Sequence, residues 1–205
     1  MDQNVIAFRP PPRRARTAVA DPRMLGALGL VAIEALFFLG LMATFQLTRE
    51  TAGVAWPPAG QPWFPLGETA LNSVALLASG ALVARAAHTW EDRDARIAPV
   101  LFAAILLGGF FLFFQGVVWL RLLGEGLGLT ASAHGRFFCL IVALHAAHTL
   151  GALALLGVVW LRLGPFRDDG APRRKPLRES GFSAVRVAWY FAVAAWPVLY
   201  VSLYS

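Results

Sequence analysis

The amino-acid sequence predicts an all-α integral membrane protein with five transmembrane helices, its N-terminus cytoplasmic and its C-terminus periplasmic. Mean hydropathy is +0.60. Of the 205 residues, 58% are hydrophobic, more than a soluble domain can cover, because its surface must stay largely polar. The apolar residues also gather in five long blocks, each near the roughly 20 residues that a helix rising about 1.5 Å per residue needs to cross about 30 Å of hydrocarbon. The cations, finally, are sorted by side in a way that only a threaded chain requires.

The blocks are 24–47, 69–88, 97–120, 137–161 and 185–204. They are continuously apolar, whereas a membrane strand would alternate over about 10 residues, so helices are expected and a barrel is not. Residues 1–23 form a basic, Pro-rich tail, and 24–205 form one transmembrane domain. The first block is too long for a signal peptide and no small-residue cleavage site follows it, so it is expected to be retained. No internal repeat of the kind that marks many transporters stands out.

Arg9, Arg13, Arg14, Arg16 and Arg23 precede the first span, and Arg85, Arg93 and Arg96 lie between the second and third. Arg162, Arg167, Arg173, Arg174, Lys175 and Arg178 lie between the fourth and fifth, with Arg186 beside them at the start of the last span. The opposite side carries only Arg49, Arg121 and Arg136. The positive-inside rule then places the N-terminus in the cytoplasm. The formal charge of +6 therefore reports topology and attraction to anionic head groups, and no nucleic-acid partner is expected.

Each span carries few polar groups, and every one needs a reason to be there, because an unpaired charge in hydrocarbon costs about 3 kcal/mol or more. In the first span Glu34 sits near the middle, inside Ile33-Glu34-Ala35-Leu36-Phe37-Phe38. It reads either as a proton-linked or partner-facing carboxyl, or as a protonated acid held between packed helices. The second span contributes Asn72 and the third Gln115, expected to form helix-to-helix hydrogen bonds of about 0.6 kcal/mol each. Gly108-Gly109 in the third span, with Gly151 and Gly157 in the fourth, would let helices approach closely.

The fourth span holds His145 and His148, three apart and so on one helical face. A bis-histidine haem would need a facing histidine, and His88 and His134 lie near helix ends on opposite sides; a metal would need a third ligand, and only Glu34 shares their depth. Hydrogen bonding in an interhelical cleft is the preferred reading, with no catalytic, cofactor or metal ligand in this chain. Cys139, the single cysteine, reads as a small packing residue. Trp56, Trp63, Trp90, Trp119, Trp160, Tyr200 and Tyr204 cluster near the predicted interfaces, as amphipathic rings do.

The order of particular residues resembles the subunit III family of haem–copper respiratory oxidases, in its short five-helix form, along nearly all of the membrane region. Glu34-Ala-Leu-Phe-Phe-Leu-Gly-Leu is similar to that family's acid and paired aromatics. Trp56-Pro57-Pro58-Ala59-Gly60, Leu71-Asn72-Ser73 and Leu76-Leu77-Ala78-Ser79-Gly80 follow its WPP-x-G, LN and LLASG series. Leu107-Gly108, Gln115, Phe137-Phe138, His145-Ala-Ala-His148 and the closing Trp189 to Trp196 and Tyr200-Val201-Ser202-Leu203-Tyr204 complete it. Four positions depart from the pattern: Val118, Ser183, Tyr190 and Val193 stand where the family usually has a glutamate, a glutamate, a histidine and an aspartate.

The resemblance implies a non-catalytic, stabilising subunit of a terminal oxidase that reduces oxygen and translocates protons. It would pack on the catalytic subunit I, with subunit II nearby, and hold phospholipids in an interhelical cleft, haem and copper residing in the partner. Glu34, His145, His148, Asn72, Gln115 and Trp189 would lie at that cleft or the subunit I contact, in the inner membrane of a bacterium. An accessory subunit of a nitric oxide reductase, or a small transporter or cytochrome b-type anchor using Glu34 and the histidines directly, are the alternatives.

Overall fold

The computed structural model describes residues 21–53, 55–90, 97–163 and 179–204. Among these the secondary structure is helical: α1 (Pro22–Thr51), α2 (Leu66–Trp90), α3 (Ile97–Gly124), α4 (Ala133–Leu163) and α5 (Glu179–Tyr204). All five are long and apolar enough to cross a membrane, as the five blocks predict. Most of the N-terminal tail, with Arg9, Arg13, Arg14 and Arg16, lies outside the described residues. So do Arg93, Arg96, Arg167, Arg173, Arg174, Lys175 and Arg178.

The helices overrun the apolar blocks at most of their ends, because backbone hydrogen bonding continues through head-group layers where hydropathy has already fallen. Asp21 caps α1 by accepting from the Arg23 amide at 2.9 Å, with Pro22 at the first helical position where its missing N–H costs nothing. At the other end of the bundle, α3 stops in a Schellman turn. The Gly126 amide donates to the Leu123 carbonyl at 3.1 Å and the Leu127 amide to the Leu122 carbonyl at 2.9 Å, which requires the φ of +97° that Gly126 adopts. Leu122 and Leu127, the apolar pair of that motif, are both buried.

α2, α3, α4 and α5 pack in a closed ring, each touching the next, with α5 also against α1. Among the described residues α1 meets only α4 and α5, so it lies outside the four-helix ring. Its buried side chains are Phe38 and Phe45, while Leu25, Leu28, Leu30, Ile33, Leu36, Phe37, Leu39 and Leu47 are exposed. That outward face is apolar, as a bilayer or a membrane partner demands. Near the α1 C-terminus the bundle closes on aromatic packing. Phe45 meets Trp56 and Phe137, and Phe64 stacks on both Phe138 and His134, at 4.4 and 4.6 Å.

Small residues matter at three close approaches. A Cβ on Gly80 would stand 2.9 Å from Val193, one on Gly108 would stand 2.5 Å from the Trp189 ring, and one on Gly135 would stand 2.5 Å from the Gly128 carbonyl oxygen. Gly109, Gly151 and Gly157, also expected at close approaches, face open space, with nothing within 4 Å of a built Cβ. At Gly135 the obstacle is backbone, which cannot rotate away. Gly135→Ala is therefore expected to cost about 2 kcal/mol, read as a lowered thermal midpoint in detergent, with Gly151→Ala unchanged as the control.

Candidate functional site

The face of α4 that carries His134, Phe138, Val142, His145, Thr149, Ala152 and Leu156 repeats every three or four residues and is buried along its whole length. His145 and His148 meet α5 from that face. His148 Nε2 donates to the Ala188 carbonyl at 2.9 Å and His145 Nε2 to the Ala192 carbonyl at 3.0 Å. Two imidazoles three apart on one helix thus bind two carbonyls four apart on the next. The pair forms a ladder between helices, and each Nε2 is committed to a main-chain oxygen.

Glu34 comes to the same place from α1. Its Oε2 contacts His148 Nδ1, with the His148 side chain 4% and the Glu34 side chain 18% exposed. The protonation of this pair follows from its partners. A carbonyl can only accept, so Nε2 of His148 carries a hydrogen. Nδ1 is then either bare, which requires a protonated Glu34, or protonated against a carboxylate; a bare nitrogen facing a carboxylate would set lone pair against lone pair. In both arrangements one proton is shared and the pair has no net charge, which is how two ionisable groups tolerate hydrocarbon depth. α1, α4 and α5 are joined at one point through it.

His145 is enclosed by aromatic rings, Phe111 edge-on at 6.0 Å and Trp196 at 4.9 Å, and Thr149 donates back to its carbonyl at 2.7 Å. Phe191 stands edge-on to His148 at 5.1 Å. Among the described residues, no group of three histidine, cysteine or acidic side chains is arranged to hold a metal ion. Cys139 is buried and reaches the Leu127 carbonyl at 3.7 Å.

Asn72 and Gln115 lie elsewhere, on the α2–α3 side. Asn72 Nδ2 donates to the Phe111 carbonyl at 3.0 Å, and Gln115 is buried beside the Tyr204 hydroxyl. Sequence reasoning overlooked Ser79, which donates to the Ala104 carbonyl at 2.8 Å, and Ser73, which accepts from Trp196 Nε1 at 2.7 Å; a hydroxyl in an apolar span is the signal that marks both. Trp189 is fully buried within its own chain, because the notch at Gly108 receives its ring.

The four departures from the family pattern also find places. Val193 fills the space over Gly80, Val118 joins the apolar core, Ser183 accepts from Arg186 Nη2 at 3.1 Å, and Tyr190 stands one turn beyond Arg186. Two of these positions are thus apolar packing on α3 and α5, and a cation–hydroxyl contact sits near the N-terminal end of α5.

Comparison with known proteins agrees with this architecture. The family model for cytochrome c oxidase subunit III matches residues 14–205. The chain is 31% identical over 186 residues to cytochrome c oxidase subunit 3 of Gallus gallus, covering 87% of this chain and 67% of that protein. It is 30% identical to the subunit 3 of Oncorhynchus mykiss over 186 residues. It is also 30% identical to that of Pyricularia grisea over 199 residues, covering 91% of this chain and 68% of the relative. With its five membrane-spanning helices, the chain belongs to the cytochrome c oxidase subunit III family and is a multi-pass membrane component of a haem–copper oxidoreductase complex.

Proposed function

We propose that this chain is a non-catalytic, stabilising subunit that packs on the catalytic subunit I, with subunit II alongside, and holds phospholipids between its helices while the partner reduces oxygen and translocates protons. The observation that carries the reading is the Glu34–His148–Ala188 chain of contacts. Its hydrogen-bonding capacity is used to lock α1 against α4 and α5, so these groups serve as structure and leave redox chemistry to the haem and copper of the partner. Glu34 retains some exposure on a helix whose outer face is apolar, which suits a carboxyl beside a membrane partner or a lipid chain.

The orientation proposed is N-terminus cytoplasmic and C-terminus periplasmic in a bacterial inner membrane. Arg23, Arg85, Arg162 and Arg186 stand near helix ends that share one side in a five-span chain, and Arg49, Arg121 and Arg136 on the other. Arg121 is additionally paired with Glu68 at 2.8 Å; the rule counts Lys and Arg alone, so the sorting of cations by side is unchanged.

Purification from native membranes in mild detergent tests the reading. Co-migration with a polypeptide containing both haem and copper is the expected result. Partner polypeptides with haem but no copper would instead point to a nitric oxide reductase, and a chain that carries haem alone would contradict the proposal.

A further inference from the structure

A second polar site, which does not include Glu34, lies between α2 and α5. A cavity of about 280 Å³ is lined by Ala84, Ala87 and His88 of α2 and by Arg186 and Tyr190 of α5. The three polar groups converge for reasons of helical spacing: Arg186 and Tyr190 are four apart on α5 and share a face, and His88 lies in the last turn of α2. The two alanines leave the space open where larger side chains would close it.

Arg186 is held in position. Its guanidinium carbon lies 5.3 Å from the centre of the Phe182 ring, and that ring is itself stacked on Trp90 at 4.2 Å. One N–H goes to Ser183. A guanidinium has five donors, and among the described residues no carboxylate pairs with this one. A fixed cation with spare donors, a phenol hydroxyl and an imidazole together fit an oxyanion with several acceptor oxygens, above all a phosphate, which suits the planar fork of arginine.

The surroundings choose between phosphate sources. Going inward from the cavity, the same faces continue through Ala81 and Leu77 on α2 and Ala194 and Pro197 on α5, all exposed and all apolar. A free phosphate has no use for that strip; an acyl chain attached to the phosphate does. We infer that the α2–α5 cavity is a headgroup site for an anionic phospholipid, with Arg186, Tyr190 and His88 on the phosphate and the acyl chains along the apolar strip. This deepens the proposed lipid-holding role by naming one place and one headgroup class, and it rests on that role.

The test is native mass spectrometry of the purified oxidase complex, depleted of lipid and then supplied with phosphatidylglycerol, phosphatidylcholine or inorganic phosphate. The wild-type complex is expected to retain one more phosphatidylglycerol than the Arg186→Gln complex. The preference for phosphatidylglycerol over phosphatidylcholine should fall about fivefold in that variant, with Arg186→Lys keeping most of it. Tyr190→Phe, which removes only a hydroxyl, should lower retention in the same direction and supplies the answer if Arg186→Gln fails to assemble. Displacement of the lipid by millimolar inorganic phosphate would overturn the lipid assignment and leave a free-anion site. Equal retention in wild type, Arg186→Gln and Tyr190→Phe, with other lipids still bound, would overturn the site alone. Absence of retained lipid from every complex would overturn the lipid-holding reading with it.

Discussion

Glu34→Ala is expected to destabilise the chain by about 2–3 kcal/mol while leaving the initial oxygen-reduction rate of an assembled complex largely intact. Alanine removes the partner of His148 Nδ1 at a position where water is scarce, and an orphaned buried acceptor or donor costs about that much. It also unfastens α1, whose buried contacts within the chain are otherwise few. The loss should appear as a lowered thermal midpoint, poorer assembly, or faster inactivation during turnover. Glu34→Gln separates two versions of the pair. An amide N–H can donate to a neutral His148 as a protonated carboxyl does, so a shared neutral hydrogen bond predicts a cost below about 1 kcal/mol. A charged pair predicts a cost comparable with alanine, since one buried charge would lose its counterpart. The thermal midpoint of Glu34→Gln, read against that of Glu34→Ala, therefore tells which of the two arrangements the pair holds. Abolished oxygen reduction in a fully assembled Glu34→Ala complex would refute a supporting role.

Gly108→Ala is the second large effect. The added Cβ would lie 2.5 Å and 2.8 Å from Cη2 and Cζ2 of Trp189 and 3.0 Å from Leu153. Trp189 is wholly buried, so its ring has nowhere to go without separating α3 from α5 or α4. Overpacking of this kind costs about 2–3 kcal/mol. Trp189→Phe withdraws the two offending atoms, so the double variant should recover a substantial part of the loss in a double-mutant cycle. Additive losses in the double variant would show that the ring and the glycine do not meet as described.

The five spans are legible in the sequence, because an apolar run as long as a bilayer is thick has little use except to cross one. Their ends are not, since Leu66, Ala133 and Glu179 begin helices through polar turns that hydropathy reads as loop. Glu34 and His148 stand out as polar groups at similar depth, but which helical faces meet depends on packing between spans, and pattern alone leaves cofactor ligation, proton linkage and simple bonding open. The Nε2 contacts to Ala188 and Ala192 cannot be foreseen, because a backbone carbonyl carries no residue signature. That the Trp189 ring fills a notch at Gly108 is not readable either, because it depends on which faces of α3 and α5 meet. Arg186 reads in the sequence only as one more cation at the start of the last span; α5 begins two turns earlier, at Glu179, and the meaning of Arg186 emerges only when α2 closes the other side of the cavity.

The metal and haem content of this chain, separated from its partners in detergent, tests the central claim most directly. No Soret band and no stoichiometric copper or iron are predicted, with both centres recovered in the partner fraction. A Soret band or one equivalent of metal travelling with this chain would contradict the assignment of Glu34, His145 and His148 to helix fastening.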